Sequence, residues 1–310
     1  MKEQKEKLDI GELGKKKEVS LLEGNISGGL IRFATPIFLA LLLQVMYSSV
    51  DMLIVGNFSD MNHISGVSTG SQLMNTLTAL CIGIAMGVTI FIGQKIGEHK
   101  QEELGAIIRN ALGLFLGISI FTTLGFLIFR DGFVEIMNTP LEAVIQTSDY
   151  IFYCTLGIPF IFLYNVLSSV TRGVGDSKTP LIAVAFACVV NIIGDYVLIA
   201  VYDMGAGGAA IATVIAQMVS VLVMVVLMTS QKILVWSNKE SRWSFRYSKH
   251  ILRLGIPVAL QSVMATFSVL IFTMIVNEYG VLFSAAIGLA DKVTGLTVMV
   301  PSAFMQRNSI

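Results

Sequence analysis

Residues 30–56 read LIRFATPIFLALLLQVMYSSVDMLIVG. A helix needs roughly 20 apolar residues to cross the hydrocarbon core of a bilayer, and this run is long enough. It nevertheless carries one carboxylate, Asp51. A second run, LIAVAFACVVNIIGDYVLIAV at 181–201, repeats the arrangement around Asp195. A carboxylate in mid-span costs about 2.5–3.5 kcal/mol on insertion scales and is not needed for packing. Each of the two therefore reads as a site for a cation or a proton.

The rest of the chain points to the same solvent. Hydrophobic residues make up 54% of the 310 and charged residues 14%, with a mean hydropathy of +0.76. Those values exclude an ordinary soluble domain. The formal net charge is zero, and no basic stripe is interleaved with aromatics, so the expected partner is the lipid bilayer and not nucleic acid. Cys81, Cys154 and Cys188 all lie in apolar runs, at spacings that fit neither a metal site nor a disulfide framework. They read as small buried hydrophobes.

About eight helical spans are expected, near 28–55, 64–93, 106–129, 143–170, 180–201, 207–230, 252–277 and 284–306. The fold class is an all-α polytopic membrane protein. Lys2, Lys5, Lys7, Lys15, Lys16, Lys17 and Arg32 precede or open the first span. Lys95, Lys100 and Arg109 follow the second, Arg172 and Lys178 the fourth, and Lys232, Lys239, Arg242, Arg246, Lys249 and Arg253 the sixth. The opposite loops hold only Arg130. This asymmetry places the N-terminus and the basic loops in the cytoplasm.

The start of span 1, LIRFATPIFLA at 30–40, resembles the start of span 7, ILRLGIPVALQ at 251–261. Arg32 pairs with Arg253 and Pro36 with Pro257, each 221 residues on, and the same offset aligns ISGVS at 64–68 with AAIGL at 285–289. Six spans separate two similar beginnings, so the repeats are parallel, about an axis along the membrane normal. The expected organisation is a cytoplasmic tail at 1–25, a complete six-helix lobe at 26–230, a cytoplasmic linker at 231–250 and the first two helices of a second lobe at 251–310. On this reading the second lobe is cut short.

Asn191 and Asp195 are four residues apart and share one helix face. Thr213 follows the small-residue run Gly205–Ala210, which lets its helix approach span 5 closely. Asp51, Asn191, Asp195 and Thr213 together offer the hard oxygens that suit Na⁺, and two nearby carboxylates also suit proton exchange. Asn191 and Thr213 equally fit a role as interhelical hydrogen-bonding groups. Gln44, Tyr47 and Asp51 form one helical stripe. With Tyr150 and Asn165 they are candidates for lining a cavity for an amphipathic ligand, although tyrosines also anchor spans at the interface. Pro36 removes one helix hydrogen bond and is a candidate hinge for the helix that carries Asp51; a static kink is the alternative. Asp291 and Lys292 place a second polar pair in span 8, one facing a cavity or both serving an interhelical contact.

The chain resembles the multidrug and toxic compound extrusion (MATE) family. The matching stretches are TPIFLALLLQVMYSSVDMLIVG at 35–56, TRGVGDSKTP at 171–180, NIIGDYVLIA at 191–200, GAGGAAIATVIAQ at 205–217 and PSAFMQ at 301–306. The resemblance implies twelve spans in two lobes and export of organic cations or drugs coupled to entry of Na⁺ or H⁺, with no other cofactor and no enzymatic step. It implies a cation site at Asp51, Asn191, Asp195 and Thr213, a substrate cavity at Gln44, Tyr47, Tyr150 and Asn165, and a bending proline at Pro36. It makes the missing C-terminal half a candidate partner, and the plasma membrane the location. Phe272 stands where the repeat would place a second Asp51.

Three other readings compete. A lipid-linked sugar flippase would call for basic cavity residues, whereas the intramembrane charges of the first six spans are acidic. A non-transporting fragment or half-transporter fits the short second lobe. An intramembrane aspartyl protease would use a GxGD motif, and Gly173-Val174-Gly175-Asp176 spells one, but in a loop between Arg172 and Lys178.

Overall fold

The computed structural model describes residues 26–231, 233, 244–291 and 294, with side chains from Thr35 onward. The expected tail, most of the linker and the end of span 8 lie outside the described residues. Helices dominate because lipid offers a backbone no hydrogen bonds, so each crossing segment must satisfy its own. In chain order they are α1 (Ile26–Phe58), α2 (Met61–Gly97), α3 (Leu104–Ile128), the short α4 (Arg130–Ile136), α5 (Val144–Gly173), α6 (Lys178–Asp195), α7 (Gly205–Ser230) and α8 (Phe245–Asn277). A shorter apolar helix, α9 (Val281–Asp291), follows. A π-helical turn, Tyr196–Val201, extends α6.

Seven of these segments are long and apolar enough to cross a membrane, and they fall on the first seven expected spans. The eighth is described only as α9. The two helices that open the repeats, α1 and α8, each run for 33 residues and each contain the repeated proline. Both remain helical through that proline. Helix α4 falls between the third and fourth expected spans, where no element was expected. Its Phe133 stacks on Phe126 of α3 with ring centroids 4.5 Å apart, and Val134 is buried. Seven residues are too few for a helical period to register in sequence.

The connections are short and chemically specified. Only Ser59 and Asp60 separate α1 from α2, and the Asp60 carboxylate caps α2 by accepting the N–H groups of Asn62 and His63, each at 3.1 Å. Between α5 and α6, Asp176 accepts the N–H groups of Lys178 (3.0 Å) and Thr179 (3.2 Å) and the Thr179 hydroxyl (2.5 Å). The aspartate of the GxGD tetrapeptide is thus a helix cap.

Helices α2 and α5 form the enclosed centre. Around them α8 packs on α2, α3 and α7 pack on α5, and α6 joins α7 to α1. The α2–α8 crossing is very close. A Cβ on Gly83 would collide with the backbone of Ala259, and one on Gly255 would lie 2.6 Å from the Ile84 carbonyl oxygen. Small residues allow such crossings where lipid supplies no hydrophobic drive between helices. Polar ties hold α8 and α9 to their neighbours. Asn277 donates to the Met137 carbonyl at 2.8 Å and to Thr69 Oγ1 at 3.2 Å, and Ser65 donates to Ser284 at 2.7 Å. At the far end the Ser244 N–H donates to Asn110 Oδ1 at 2.9 Å.

Candidate functional site

The site lies where α1, α5, α6 and α7 converge, beside an apolar cluster that includes Met52, Val55, Ile151, Ile199 and Ala209. Helix α1 brings Asp51, which is 7% exposed, and α6 brings Asn191 and Asp195, both 0% exposed. The two carboxylates are close enough for their charges to act on one another. Both Oδ atoms of Asp195, and Oδ1 and Nδ2 of Asn191, are buried with no hydrogen-bond partner among the described residues. An unpaired buried polar group costs about 1–3 kcal/mol, and more when charged. Four such atoms on one helix face are therefore out of balance unless something else supplies the missing partner.

Local structure explains the placement. Asn191 and Asp195 sit one turn apart on the inner face of α6, and the helix changes to π geometry at Tyr196. Single π turns are frequent at functional sites because they re-aim side chains without ending the helix. Nothing in the apolar run that follows Asp195 announces the change. Helix α7 lies against this end of α6, with Ala212 packed on Gly194. Each of those residues immediately precedes a candidate ligand, Thr213 and Asp195, so the two stand at the same level of the bundle. Thr213 itself is half-buried.

The cavity candidates divide. Tyr47, one turn before Asp51 on α1, interacts electrostatically with Asp51, Asp195 and Tyr164. Tyr150 is buried, interacts with both aspartates and shares a hydrogen bond with Cys154. Asn165 is buried, but its amide donates to the Ile161 carbonyl of its own helix at 2.8 Å. Gln44 is half-buried on the α1 stripe. Pro36 is buried near the other end of the same helix. Tyr164 was not singled out in the sequence, although a tyrosine beside Asn165 inside an apolar helix was the available signal. All three cysteines are buried and free.

The chemistry on offer is that of hard oxygens. Two carboxylates, one amide and one hydroxyl suit Na⁺ or a shared proton. Among the described residues no three His, Cys, Asp or Glu side chains gather as a metal-binding group.

A sequence model of the MatE family matches residues 36–197, over half of the chain. The chain belongs to the MatE family. The matched stretch includes Pro36, Asp51, Asn191 and Asp195, while Thr213 lies beyond it. A MatE relative, a probable multidrug resistance protein of Bacillus subtilis, YpnP, is 30% identical over 266 residues, covering 85% of this chain and 59% of that protein. The multidrug export protein MepA of Staphylococcus aureus is 23% identical over 264 residues, covering 85% of this chain and 58% of that protein. The chain thus spans about three-fifths of the length of these relatives. Among solved structures, a MATE protein crystallised in complex with Br-NRF matches with a TM-score of 0.76 at 22% identity, covering 95% of this chain and 67% of that one. That likeness is one of fold. The chain is a multi-pass membrane protein of a transporter family.

Proposed function

We propose that this chain forms the cation-coupling part of an antiporter that exports organic cations or drugs in exchange for Na⁺ or H⁺. The observation that carries the reading is the set of buried, unpartnered atoms on Asn191 and Asp195, facing the Asp51 region of α1. A monovalent cation or a proton held there would meet the two Asp195 oxygens and Asn191 Oδ1, with Thr213 as a further oxygen, while the Asn191 Nδ2 group needs an acceptor of its own. No other cofactor enters the reading. The names of the relatives, multidrug resistance and multidrug export, supply the substrate class. We read the chain as spanning the plasma membrane with its N-terminus in the cytoplasm, an orientation supported by the charge asymmetry of its loops.

The mechanism follows from where Asp51 sits. Helix α1 is among the least enclosed of the spans and packs chiefly on α6. Two facing carboxylates repel, so without a bound ion α1 is pushed from α6; a bound cation reverses the sign and draws them together. Pro36, lacking an N–H, lets the outer part of α1 move on the inner part. Ion entry would thereby close the space beside Tyr47 and Tyr150 and expel an amphipathic cation. One-for-one exchange with a monovalent organic cation moves no net charge and is driven by the ion's concentration gradient alone; only an uncharged drug, or a second ion per cycle, lets a 100 mV potential add about 2.3 kcal/mol, roughly fifty-fold. The remaining length found in the relatives is the expected partner surface.

Proteoliposomes test the reading. Efflux of a cationic dye should follow an imposed Na⁺ or pH gradient, and Asp51→Asn and Asp195→Asn should each abolish that dependence. Efflux indifferent to both gradients removes antiport; gradient-driven efflux in both variants removes these residues as the coupling site.

A further inference from the structure

The first turns of α8 are held in a fixed rotation. The Tyr247 hydroxyl donates to Glu103 Oε2 at 3.3 Å, and the rings of Tyr247 and His250 lie against Phe91 of α2, with centroids 5.9 and 4.4 Å away. Ile251, Gly255 and Ala259 continue the inner face and are buried. At about 3.6 residues per turn, Arg246, Lys249 and Arg253 then fall together on the opposite face, and all three are exposed. The same face runs on through Leu260, Met264 and Phe267, which are exposed as well. One side of α8 is therefore cationic at its start and apolar beyond.

Among the described residues none of the three cations forms an ion pair. Carboxylates of the neighbouring α2–α3 connection are already engaged: Glu98 pairs with Lys95 and Lys100, each at 3.0 Å, and Glu103 pairs with Lys95 at 3.3 Å. The dimensions of the face suit a lipid. From Arg253 to Phe267 the helix rises about 21 Å, which is the depth of one leaflet with its headgroups. A small soluble anion would engage the cations and leave the apolar strip bare. An acidic peptide or a nucleic acid stays in water and does not reach the strip. A zwitterionic lipid covers the strip but brings its own ammonium to the three cations. An anionic phospholipid meets both parts, its phosphate among Arg246, Lys249 and Arg253 and its acyl chain along Leu260, Met264 and Phe267.

We propose that this face of α8 is a binding site for an anionic phospholipid of the leaflet that the start of the helix meets. The site does not depend on the coupling reading. Native mass spectrometry of the 310-residue chain, titrated in detergent with phosphatidylglycerol or phosphatidylcholine, tests it. The parent should bind phosphatidylglycerol about tenfold more tightly or better. Arg246→Gln, Lys249→Gln and Arg253→Gln should each weaken phosphatidylglycerol binding about fivefold and leave phosphatidylcholine binding unchanged. The double variant Arg246→Lys, Arg253→Lys should keep the preference, which separates charge from folding. Lys178→Gln, which removes an exposed cation of α6, should alter neither lipid. Glycerol phosphate, the headgroup without its chains, should not displace the lipid at equal concentration. Equal binding of the two lipids by the parent, a loss in Lys178→Gln as large as in Arg253→Gln, or displacement by glycerol phosphate overturns the proposal. A dimer whose formation expels the lipid overturns it too, because the face would then belong to a second copy of the chain.

Discussion

His63 and Ala206 lie 143 residues apart in sequence, and the Nδ1 atom of His63 accepts the backbone N–H of Ala206 at 3.0 Å. The contact joins the first turn of α2 to the first turn of α7. It satisfies one of the N–H groups that a helix N-terminus leaves open, and it fixes the end of the helix that carries Thr213. Gly205 just before it adopts φ +50°, and its missing Cβ is the space that the imidazole fills. His63→Ala should therefore destabilise the bundle by about 1–2 kcal/mol, the usual loss for a helix cap. Gly205→Ala should cost more, since it adds a collision to backbone strain. Thermal unfolding in detergent reads both, and equal melting temperatures for parent and His63→Ala would show that the contact carries no stability.

The unpartnered atoms of Asp195 lead to a second expectation. In Na⁺-free buffer Asp195→Asn should raise the melting temperature, because it removes an expensive buried charge. Sodium at about 100 times its Kd should stabilise the parent by about 2.7 kcal/mol and leave Asp195→Asn unmoved. If the ion is a proton, the parent instead shows a pH-dependent melting temperature that the variant lacks. An equal ionic response in both proteins would place the bound ion elsewhere.

The close crossing of α2 and α8 makes Gly83 intolerant of any side chain. Gly83→Ala forces a methyl against the Ala259 backbone, and overpacking of this kind costs about 1–3 kcal/mol. Gly93 on the same helix has open space where a Cβ would go, so Gly93→Ala should be neutral or slightly stabilising. Melting curves of the two variants, measured side by side, check the contrast.

Asp176 gives a prediction that separates capping from catalysis. Asp176→Ala removes the acceptor of two backbone N–H groups and should cost about 1–2 kcal/mol. Asp176→Asn keeps an acceptor oxygen and should retain most of that stability. An intramembrane protease would lose its activity in both variants alike, whereas a cap distinguishes them.

Some of this was legible from residue order. Apolar length, the basic loops and the 221-residue repeat located seven spans, and polarity alone picked out Asp51, Asn191 and Asp195. The i, i+4 spacing put Asn191 and Asp195 on one face, and that face is buried. The Asn165 amide, turned back on its own helix, could not be separated in sequence from one that faces a cavity. Asp291 could be named as polar, but its position in a cleft opposite Gln72 and Phe272 could not.

The division has a physical cause. Crossing a bilayer is a local requirement: each segment must be long enough, apolar enough and internally hydrogen-bonded. The sequence by itself therefore determined the helices, their spacing and the cost of the buried carboxylates. Which faces meet is decided by contacts between residues far apart in the chain. Gly83 against Ala259, His63 under Gly205, the π turn after Asp195 and the meeting of Asp51 with Asp195 exist only once the helices have packed. Only the tertiary structure brings these costly residues to one place in the bundle.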